Sequence, residues 1–396
     1  MAKILLINKF YYNRGGDCMA VLNTEQLLKA HGHEVAIFSM KYEQNLPSAW
    51  EIYFPEKINF ATRNPFAISR TIARLFKPKD VAKQFNKLLD DFKPDVVHLH
   101  NIHSYISPVV AEIAHQKGIR VVWTMHDYKL ICPAYTCLNH GTVCEQCFTD
   151  KSRILINKCL RNSFLASLFG WLEAIYWNRT KLAKSTDCFI SPSQFLKTKM
   201  VAAGFPAEKI EVLPNFMPQI IDSTASKKHY YCYVGRISEE KGIDTLLKAA
   251  IQLPFSLKVI GDGPLLNVFR NEFIAENIEF LGYLSTEKLF EIVKKARCVV
   301  IPSVWYENNP FSAIEALCLG TPVLGSRIGG IPELIEEGVN GFLFTPKNIL
   351  ELKEKIDLCF SHFHDGYTFE KIARQAQNKF SSETFYNKLI EIYALN

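Results

Sequence analysis

Short apolar runs alternate with amphipathic stretches along the whole chain. In the first half the runs fall at residues 3–9, 34–40, 95–101, 120–127 and 188–193. In the second half they fall at 230–236, 257–262, 278–283, 298–303, 322–326 and 341–344. Many are apolar at nearly every position rather than every second one, the habit of parallel strands covered on both faces. Between them lie patterns of helical period at 243–252, 265–276, 286–296 and 313–319. This alternation of strand and helix predicts doubly wound α/β sheets. It comes in two blocks, separated where Pro214, Pro218 and the polar run 222–228 break the pattern and suit a linker. The predicted domains are 1–215 and 216–375, with a closing helix at 376–396 that packs back on the first. In such sheets ligands sit beyond the carboxyl ends of the strands, so the polar residues just after each run are the candidates for chemistry.

Composition narrows the class. With 396 residues, 48% hydrophobic and 22% charged, the chain is neither disordered, collagen-like nor a small disulfide-stapled domain. No apolar run is long enough to predict a spanning helix, and the first residues read as a β-strand rather than a signal peptide. The eleven cysteines are odd in number and mostly scattered, and Cys188, Cys232 and Cys298 sit inside apolar runs, which predicts reduced thiols and a cytoplasmic setting. The net charge of +6 hides an asymmetry: residues 1–215 carry 27 Lys and Arg against 18 Asp and Glu, and residues 216–396 carry 19 against 22. The excess is densest in residues 57–93. A basic face attracts nucleic acid, an anionic membrane or a phosphorylated substrate; no zinc-finger or RNA-binding signature accompanies it, so nucleic acid is set aside.

The densest polar cluster follows the run 298–303 and reads Trp305-Tyr306-Glu307-Asn308-Asn309-Pro310-Phe311-Ser312-Ala313-Ile314-Glu315. Asn309 is a good N-cap and Pro310 fits a first helical position, which places Glu307 in the loop and Glu315 on the helix. Free N–H groups at such a start hold anions or sugar hydroxyls, and carboxylates accept from paired hydroxyls. The plain alternative is a loop charge plus an exposed helix glutamate. The apolar stretch after Glu315 argues against it, since an unpaired carboxylate is costly there. Val234-Gly235-Arg236 followed by Glu240-Lys241-Gly242 ends another strand with two cations suited to a diphosphate. Gly261-Asp262-Gly263-Pro264 ends the next strand and is, taken alone, only a turn. Gly329-Gly330-Ile331-Pro332-Glu333 is a tight connection or a ligand contact with equal ease. No Asp-x-Asp pair occurs in the chain, so a nucleotide–metal site built on paired aspartates is not expected. Charge on a leaving phosphate would fall to Arg236, Lys241 and helix ends.

In the first half Arg14-Gly15-Gly16-Asp17 follows the first strand and opens a helix, and its backbone can approach a phosphate. His98, His100, His103 and His126-Asp127 follow two later strands. A lone histidine in such a place is more often structural, but three strand ends that feed polar residues to one edge favour His126. Cys132-x4-Cys137-x6-Cys144-x2-Cys147 contains one Cys-x2-Cys knuckle rather than two, which leaves a structural zinc and free thiols as alternatives. Two stretches combine apolar and basic residues in a way that suits a membrane interface. The first sets Phe66, Ile68, Ile72, Leu75 and Phe76 beside Arg70, Arg74, Lys77 and Lys79. The second is 164–177, for which packing on its own domain is the simpler reading.

Glu307-x7-Glu315, Val-Gly-Arg236, Glu-Lys241-Gly, Gly-Asp-Gly263-Pro264, Gly-Thr-Pro322-Val and Gly-Gly-x-Pro-Glu333 together resemble glycosyltransferase family 4, the retaining group 1 glycosyltransferases of bacterial polysaccharide synthesis. The resemblance runs through nearly the whole chain and implies the GT-B fold, two Rossmann-like doubly wound domains facing across a cleft. It implies that Glu315 holds the donor ribose, Glu307 contacts the donor sugar, and Arg236 and Lys241 hold the diphosphate. Gly263, Asn308, Asn309, Pro310 and Phe311 belong to the same donor site. Gly15 and Gly16 meet the phosphate from the other domain, and His126 lies beside the transferred sugar. Pro214-Asn215-Phe216 departs from the Asn-Gly often found in the family. The activity implied is hexosyl transfer from a UDP- or GDP-linked sugar to a glycan or polyprenyl-linked acceptor, without a catalytic cofactor, in the cytoplasm or at the inner face of the cell membrane. A UDP-sugar epimerase of the same fold and a non-catalytic nucleotide-sugar-binding module stand as alternatives. A phosphorylase would need a pyridoxal lysine, and none is identified.

Overall fold

The computed structural model describes residues 1–60, 65–219, 222–223, 225–363 and 366–395, apart from the side chains of 65–68. It forms two compact units, one of Met1–Asn139, Cys144–Leu213 and Tyr386–Asn396, the other of His140–Val143 and Pro214–Phe385.

The first unit is built on the strands β1 (Lys3–Ile7), β2 (Glu34–Phe38), β3 (Val96–Leu99) and β4 (Arg120–Thr124). β7 (Cys188–Ser191) and β8 (Ile210–Val212) complete it, and the chain between β4 and β7 also carries the two-residue strands β5 (Leu138–Asn139) and β6 (Thr142–Val143). The main sheet runs β2-β1-β3-β4-β7-β8, and all of its pairings are parallel. The second unit has β9 (Tyr230–Val234), β10 (Ser256–Ile260), β11 (Ile278–Gly282), β12 (Val299–Ile301), β13 (Val323–Ser326) and β14 (Gly341–Phe344). Its sheet runs β11-β10-β9-β12-β13-β14, again parallel throughout. The winding direction reverses between β1 and β3 in one sheet and between β9 and β12 in the other. Loops leaving the carboxyl ends of such a strand pair diverge and open a crevice there.

The predicted runs overshoot several strands at the carboxyl end, because the polar residues there leave the ladder for contacts between loops. Asn101 N donates to Asn8 Oδ1 at 3.1 Å, and Val304 N donates to Glu240 O at 3.0 Å. β5, β6 and β8 were absent from the sequence reading because strands of two or three residues are too short to show a period. The polar run at 222–228 was read as a linker. Residue 224 of it lies outside the described residues, but Lys227 is tied into the second unit: its Nζ donates to Thr321 Oγ1 at 2.7 Å and Lys294 O at 2.8 Å. From Tyr386 on, the chain belongs to the first unit, where Tyr393 O–H meets His98 Nδ1 at 2.7 Å and Arg120 donates to Ile392 O. Among the described residues no helix is long and apolar enough to cross a membrane.

The basic helix Pro65–Leu75 corrects one expectation. Arg74 was placed on a membrane-facing surface, yet its side chain is fully buried. It donates to Tyr105 O at 2.8 Å, Glu56 O at 3.1 Å and Asp80 Oδ2 at 2.6 Å. Leu75 is buried too, and Lys77 pairs with Glu112 at 3.2 Å. The helix therefore turns part of its basic and apolar surface inward. The side chains of Phe66 and Ile68 lie outside the described residues. Arg74→Gln removes a buried guanidinium from Asp80 and from two carbonyl acceptors, and chemical denaturation is expected to show a loss of about 2–4 kcal/mol. Arg70→Gln, at an exposed position of the same helix, is expected to stay within about 0.5 kcal/mol of the parent.

Candidate active site

In the second unit the two reversal strands deliver the charged candidates. Val-Gly-Arg236 follows β9, and its loop closes with the short turn Glu239–Lys241 and Gly242. Gly242 has φ +65°, and a Cβ there would lie 2.0 Å from Pro302 O, so only glycine lets this loop press against the end of β12. That contact carries Lys241 to Glu307. Lys241 Nζ donates to Glu307 Oε1 at 2.6 Å, Ser303 Oγ donates to it at 2.6 Å, and Trp305 Nε1 at 2.8 Å. Burial alone would push the Glu307 carboxyl up; the Lys241 charge and the three hydrogen bonds outweigh it and hold the group below its ordinary range. All three donors meet one oxygen. Oε2 has no hydrogen-bond donor among the described residues.

The backbone of Glu307 is clamped as well. Gly330 N donates to Glu307 O at 2.7 Å, and a Cβ on Gly329, which has φ +63°, would lie 2.3 Å from that same oxygen. The Gly329-Gly330 turn thus supports Glu307 from behind. Gly263 has a similar task, since a Cβ there would lie 2.3 Å from Ile237 O in the loop that follows β9.

The helix after β12 starts one residue later than the sequence suggested: it spans Phe311–Cys318 and Pro310, in extended conformation, is its N-cap. Asn309 is drawn away from capping by Asn215. Asn215 N donates to Asn309 Oδ1 and Asn215 Nδ2 donates to Asn309 O, each at 2.8 Å. Asn308 sits half-buried beside it, as does Phe311 at the helix start. Glu315 is half-buried in the second turn, and its carboxylate has no side-chain partner among the described residues. Burial pushes its pKa up to about 7. Arg236 is exposed, with no ion-pair partner among the described residues. Among the described residues the unit thus presents a carboxylate with three donors on one oxygen, a second carboxylate without a side-chain partner and a guanidinium without an ion-pair partner.

In the first unit Gly15 and Gly16 are exposed at the start of the helix Gly16–Ala30, where a Cβ on Gly15 would meet nothing nearer than 3.7 Å. Asp17 beside them accepts from Asn101 Nδ2 at 2.8 Å and lies 3.9 Å from Lys9. Despite the burial that opposes it, Lys9, His126 and these hydrogen bonds hold Asp17 below its ordinary pKa. His126 meets a second histidine: its Nε2 lies 2.9 Å from His100 Nδ1, with the rings stacked. Burial depresses the His126 pKa to about 4, so the ring is neutral at pH 7. His100 Nε2 is buried without a partner among the described residues. A buried N–H without an acceptor is costlier than a lone pair without a donor, which puts the His100 proton on Nδ1, donated to Nε2 of His126. The neutral His126 ring then carries its own proton on Nδ1. His98 and His103 are structural, the first bonded to Tyr393 and Thr124, the second stacked on Trp123.

Cys132, Cys137 and Cys147 form a thiol network in which hydrogen bonds from Cys137 and Cys147 hold the Cys132 thiol far below its ordinary pKa. Cys144 donates through its backbone N–H to Cys137 O at 2.8 Å. Among the described residues no group of three or more His, Cys, Asp and Glu is arranged to hold a metal ion. Sequence reasoning passed over Ser303, Trp305 and His100, although each lies within a motif it singled out. Only their convergence on Glu307 and His126 gives them a part in the site.

Two doubly wound parallel-sheet units of this kind make the GT-B architecture of sugar-transferring enzymes. The chain belongs to glycosyltransferase family 4: the model described as Glycosyltransferase Family 4 matches residues 19–218, and that described as Glycosyl transferases group 1 matches 217–377. It is a glycosyltransferase. An uncharacterised 42.6 kDa protein in the cps region of Klebsiella pneumoniae is 29% identical over 351 residues, 84% of this chain and 87% of that one. The sulfoquinovosyl transferase SQD2 of Arabidopsis thaliana is 25% identical over 309 residues, 73% of this chain and 53% of that one. Sucrose-phosphate synthase from Thermosynechococcus elongatus shares the fold with a TM-score of 0.71 at 18% identity, over 100% of this chain and 98% of that one. HepE of Anabaena, solved with UDP-glucose, gives a TM-score of 0.67 at 19% identity over 100% of both chains.

Two outcomes follow from these geometries. A carboxylate that titrates near pH 7 in the folded chain and near 4.5 in the unfolded one carries a stabilising contribution at low pH that is lost as pH rises through about 7. Glu315→Gln is therefore expected to raise the thermal midpoint of the ligand-free protein at pH 8, by an effect of about 1–3 kcal/mol, and to change it little at pH 4. Separately, long-range 15N–1H correlation spectra of histidine-labelled protein are expected to show His100 and His126 both protonated at Nδ1. His100→Leu is expected to let the His126 proton redistribute between its two nitrogens.

Proposed function

We propose that this glycosyltransferase is a retaining enzyme that moves a sugar from a UDP- or GDP-linked donor to a glycan or lipid-linked acceptor in bacterial surface polysaccharide synthesis. The observation that carries the reading is the fixed Glu307–Lys241 pair, whose second carboxylate oxygen has no donor among the described residues, with the unpaired Glu315 eight residues further along the chain. Glu315 accepts hydrogen bonds from the ribose hydroxyls, which relieve its unpaired burial, and Oε2 of Glu307 accepts from a hydroxyl of the donor sugar. Arg236 and Lys241 take the negative charge of the departing diphosphate, and the N-terminus of the helix Gly16–Ala30 adds oriented N–H groups. The solution of HepE with UDP and with UDP-glucose supports a nucleotide-sugar donor, and the cps-region relatives support the pathway.

No side chain is an evident covalent nucleophile, and a front-face route follows. The anomeric C–O bond to the diphosphate breaks, the bond to the acceptor oxygen forms on the same face, and the acceptor proton goes to the departing diphosphate oxygen. His126, neutral near pH 7, donates a hydrogen bond through Nδ1 to a sugar oxygen and supplies no charge. The absence of an Asp-x-Asp pair leaves the leaving-group charge to these cations and helix ends, without a catalytic metal. A UDP-sugar epimerase of the same fold would release a changed sugar without an acceptor.

A screen of common nucleotide sugars for hydrolysis, followed by anomer analysis of the transferred product, tests this reading. Arg236→Ala and Lys241→Ala are each expected to lower turnover by at least about tenfold, the worth of one charge-assisted contact to the leaving group. The parent should stay active in EDTA. Near-normal turnover in both variants would remove these cations from the site, and an inverted product would overturn retention.

A further inference from the structure

The helix Phe164–Tyr176 in the first unit is inside out. At 100° per residue, Trp171, Phe164, Ile175, Leu168, Leu172, Leu165, Tyr176 and Phe169 fall in one arc of roughly 160°. The opposite arc carries Glu173, Ala166, Gly170, Ala174 and Ser167. A surface helix normally buries its large apolar side chains. Here the buried residues are Ser167, Gly170 and Glu173, while Phe164 is 55%, Leu165 60% and Ile175 48% exposed. The small residues are wanted inside for fit. A Cβ on Gly170 would lie 2.6 Å from Leu160 Cδ1, and Ser167 Oγ accepts from Leu160 N at 3.2 Å. Glu173 is held there by Lys129 at 2.9 Å and by Ser104 Oγ at 2.8 Å. Ile156, just before the helix, is 67% exposed. Of the eight large side chains in the arc, Phe164, Leu165 and Ile175 are thus left facing outward, and the other five are half-buried, Tyr176 edge-on against Phe76.

From this geometry we infer that the outward face of Phe164–Tyr176 inserts into the interface of an anionic lipid bilayer. Charge selects the occupant. Residues 151–184 contain seven Lys and Arg and a single carboxylate, the buried Glu173. Arg153, Lys158, Arg161, Arg179 and Lys184, on the segments that flank the helix in sequence, are exposed, Arg153 paired with Asp150 at 3.2 Å and Arg179 donating to Ala203 O at 3.0 Å. A second copy docked on the same face about a two-fold axis would set this basic rim against itself, and like charges across an interface are unfavourable. A lipid surface carrying negative headgroups matches both the rim and the apolar arc. With 13 residues the helix is about 20 Å long, too short to span, and it lies in the plane of the interface. The inference replaces Pro65–Leu75 as the membrane-facing element and is independent of the donor assignment.

Sedimentation of the full-length protein with vesicles tests it. The parent is expected to pellet with phosphatidylcholine–phosphatidylglycerol vesicles and far less with phosphatidylcholine alone. Phe164→Ser/Leu165→Ser/Ile175→Ser is expected to lower the partition coefficient by at least about tenfold, because each of these side chains loses its burial in lipid. Lys158→Gln/Arg161→Gln is expected to lower it several-fold at low salt, with little difference left at high salt. All five positions point to solvent, so thermal midpoints and donor hydrolysis should match the parent. If the triple variant proves unstable, Leu165→Glu alone carries the test. A parent that stays in the supernatant with anionic vesicles, or a triple variant that pellets like it, overturns the inference. So does a parent that is a dimer in solution and that the triple substitution dissociates, since the face then belongs to a second copy.

Discussion

Glu307 and Lys241 depend on each other, and the strand ends of the second unit are arranged around that dependence. A buried carboxylate is held only if its charge is matched and its oxygens find donors. Here a cation, a hydroxyl and an indole N–H converge on one oxygen, the cation from the loop after β9 and the other two from the loop after β12. The two strands are neighbours in the sheet, paired at Val299 with Cys232 and joined by Arg297 N to Tyr230 O and Cys232 N to Cys298 O, so the loops that follow them start side by side. Gly242 lets the first loop press against Pro302 O, and the Gly329-Gly330 turn fixes the Glu307 backbone from the other side. These glycines serve the site through packing, whether or not they touch a ligand.

The two carboxylates of the motif are kept in opposite states. Glu307 is held charged by its partners, which fixes its direction and leaves one oxygen without a donor among the described residues. Glu315 has burial without compensation, and its raised pKa records that cost. A carboxylate buried without compensation is less costly once hydroxyl donors meet it.

The candidate residues of the first unit are hydrogen-bonding groups more than free charges. Burial keeps His98, His100, His103 and His126 below the ordinary histidine range. Asp17 at the helix start is already engaged by Lys9 and Asn101. The same unit draws Glu173 inward to Lys129, three residues beyond His126, and so turns the large side chains of its helix out to the surface. The loop after β4 is thereby anchored by the helix whose outer face we assign to lipid.

Much of this was legible in the sequence, for a local reason. Two sheets of buried parallel strands follow from apolar runs, and the carboxylates, cations and glycine turns follow from their spacing after those runs, since strand ends are where a doubly wound sheet exposes its loops. What could not be read were choices made between residues far apart in the chain. The exchange between Asn215 and Asn309 moved a helix start by one residue. The proton placement on His126 depends on His100, a strand away and without a partner on its other side. Arg74 has the look of a surface residue until Glu56 O, Tyr105 O and Asp80 surround it. An amphipathic pattern states that a helix has two faces. Which face meets protein is decided by the neighbours that the fold brings up, and for Phe164–Tyr176 they left room only for Ser167, Gly170 and Glu173.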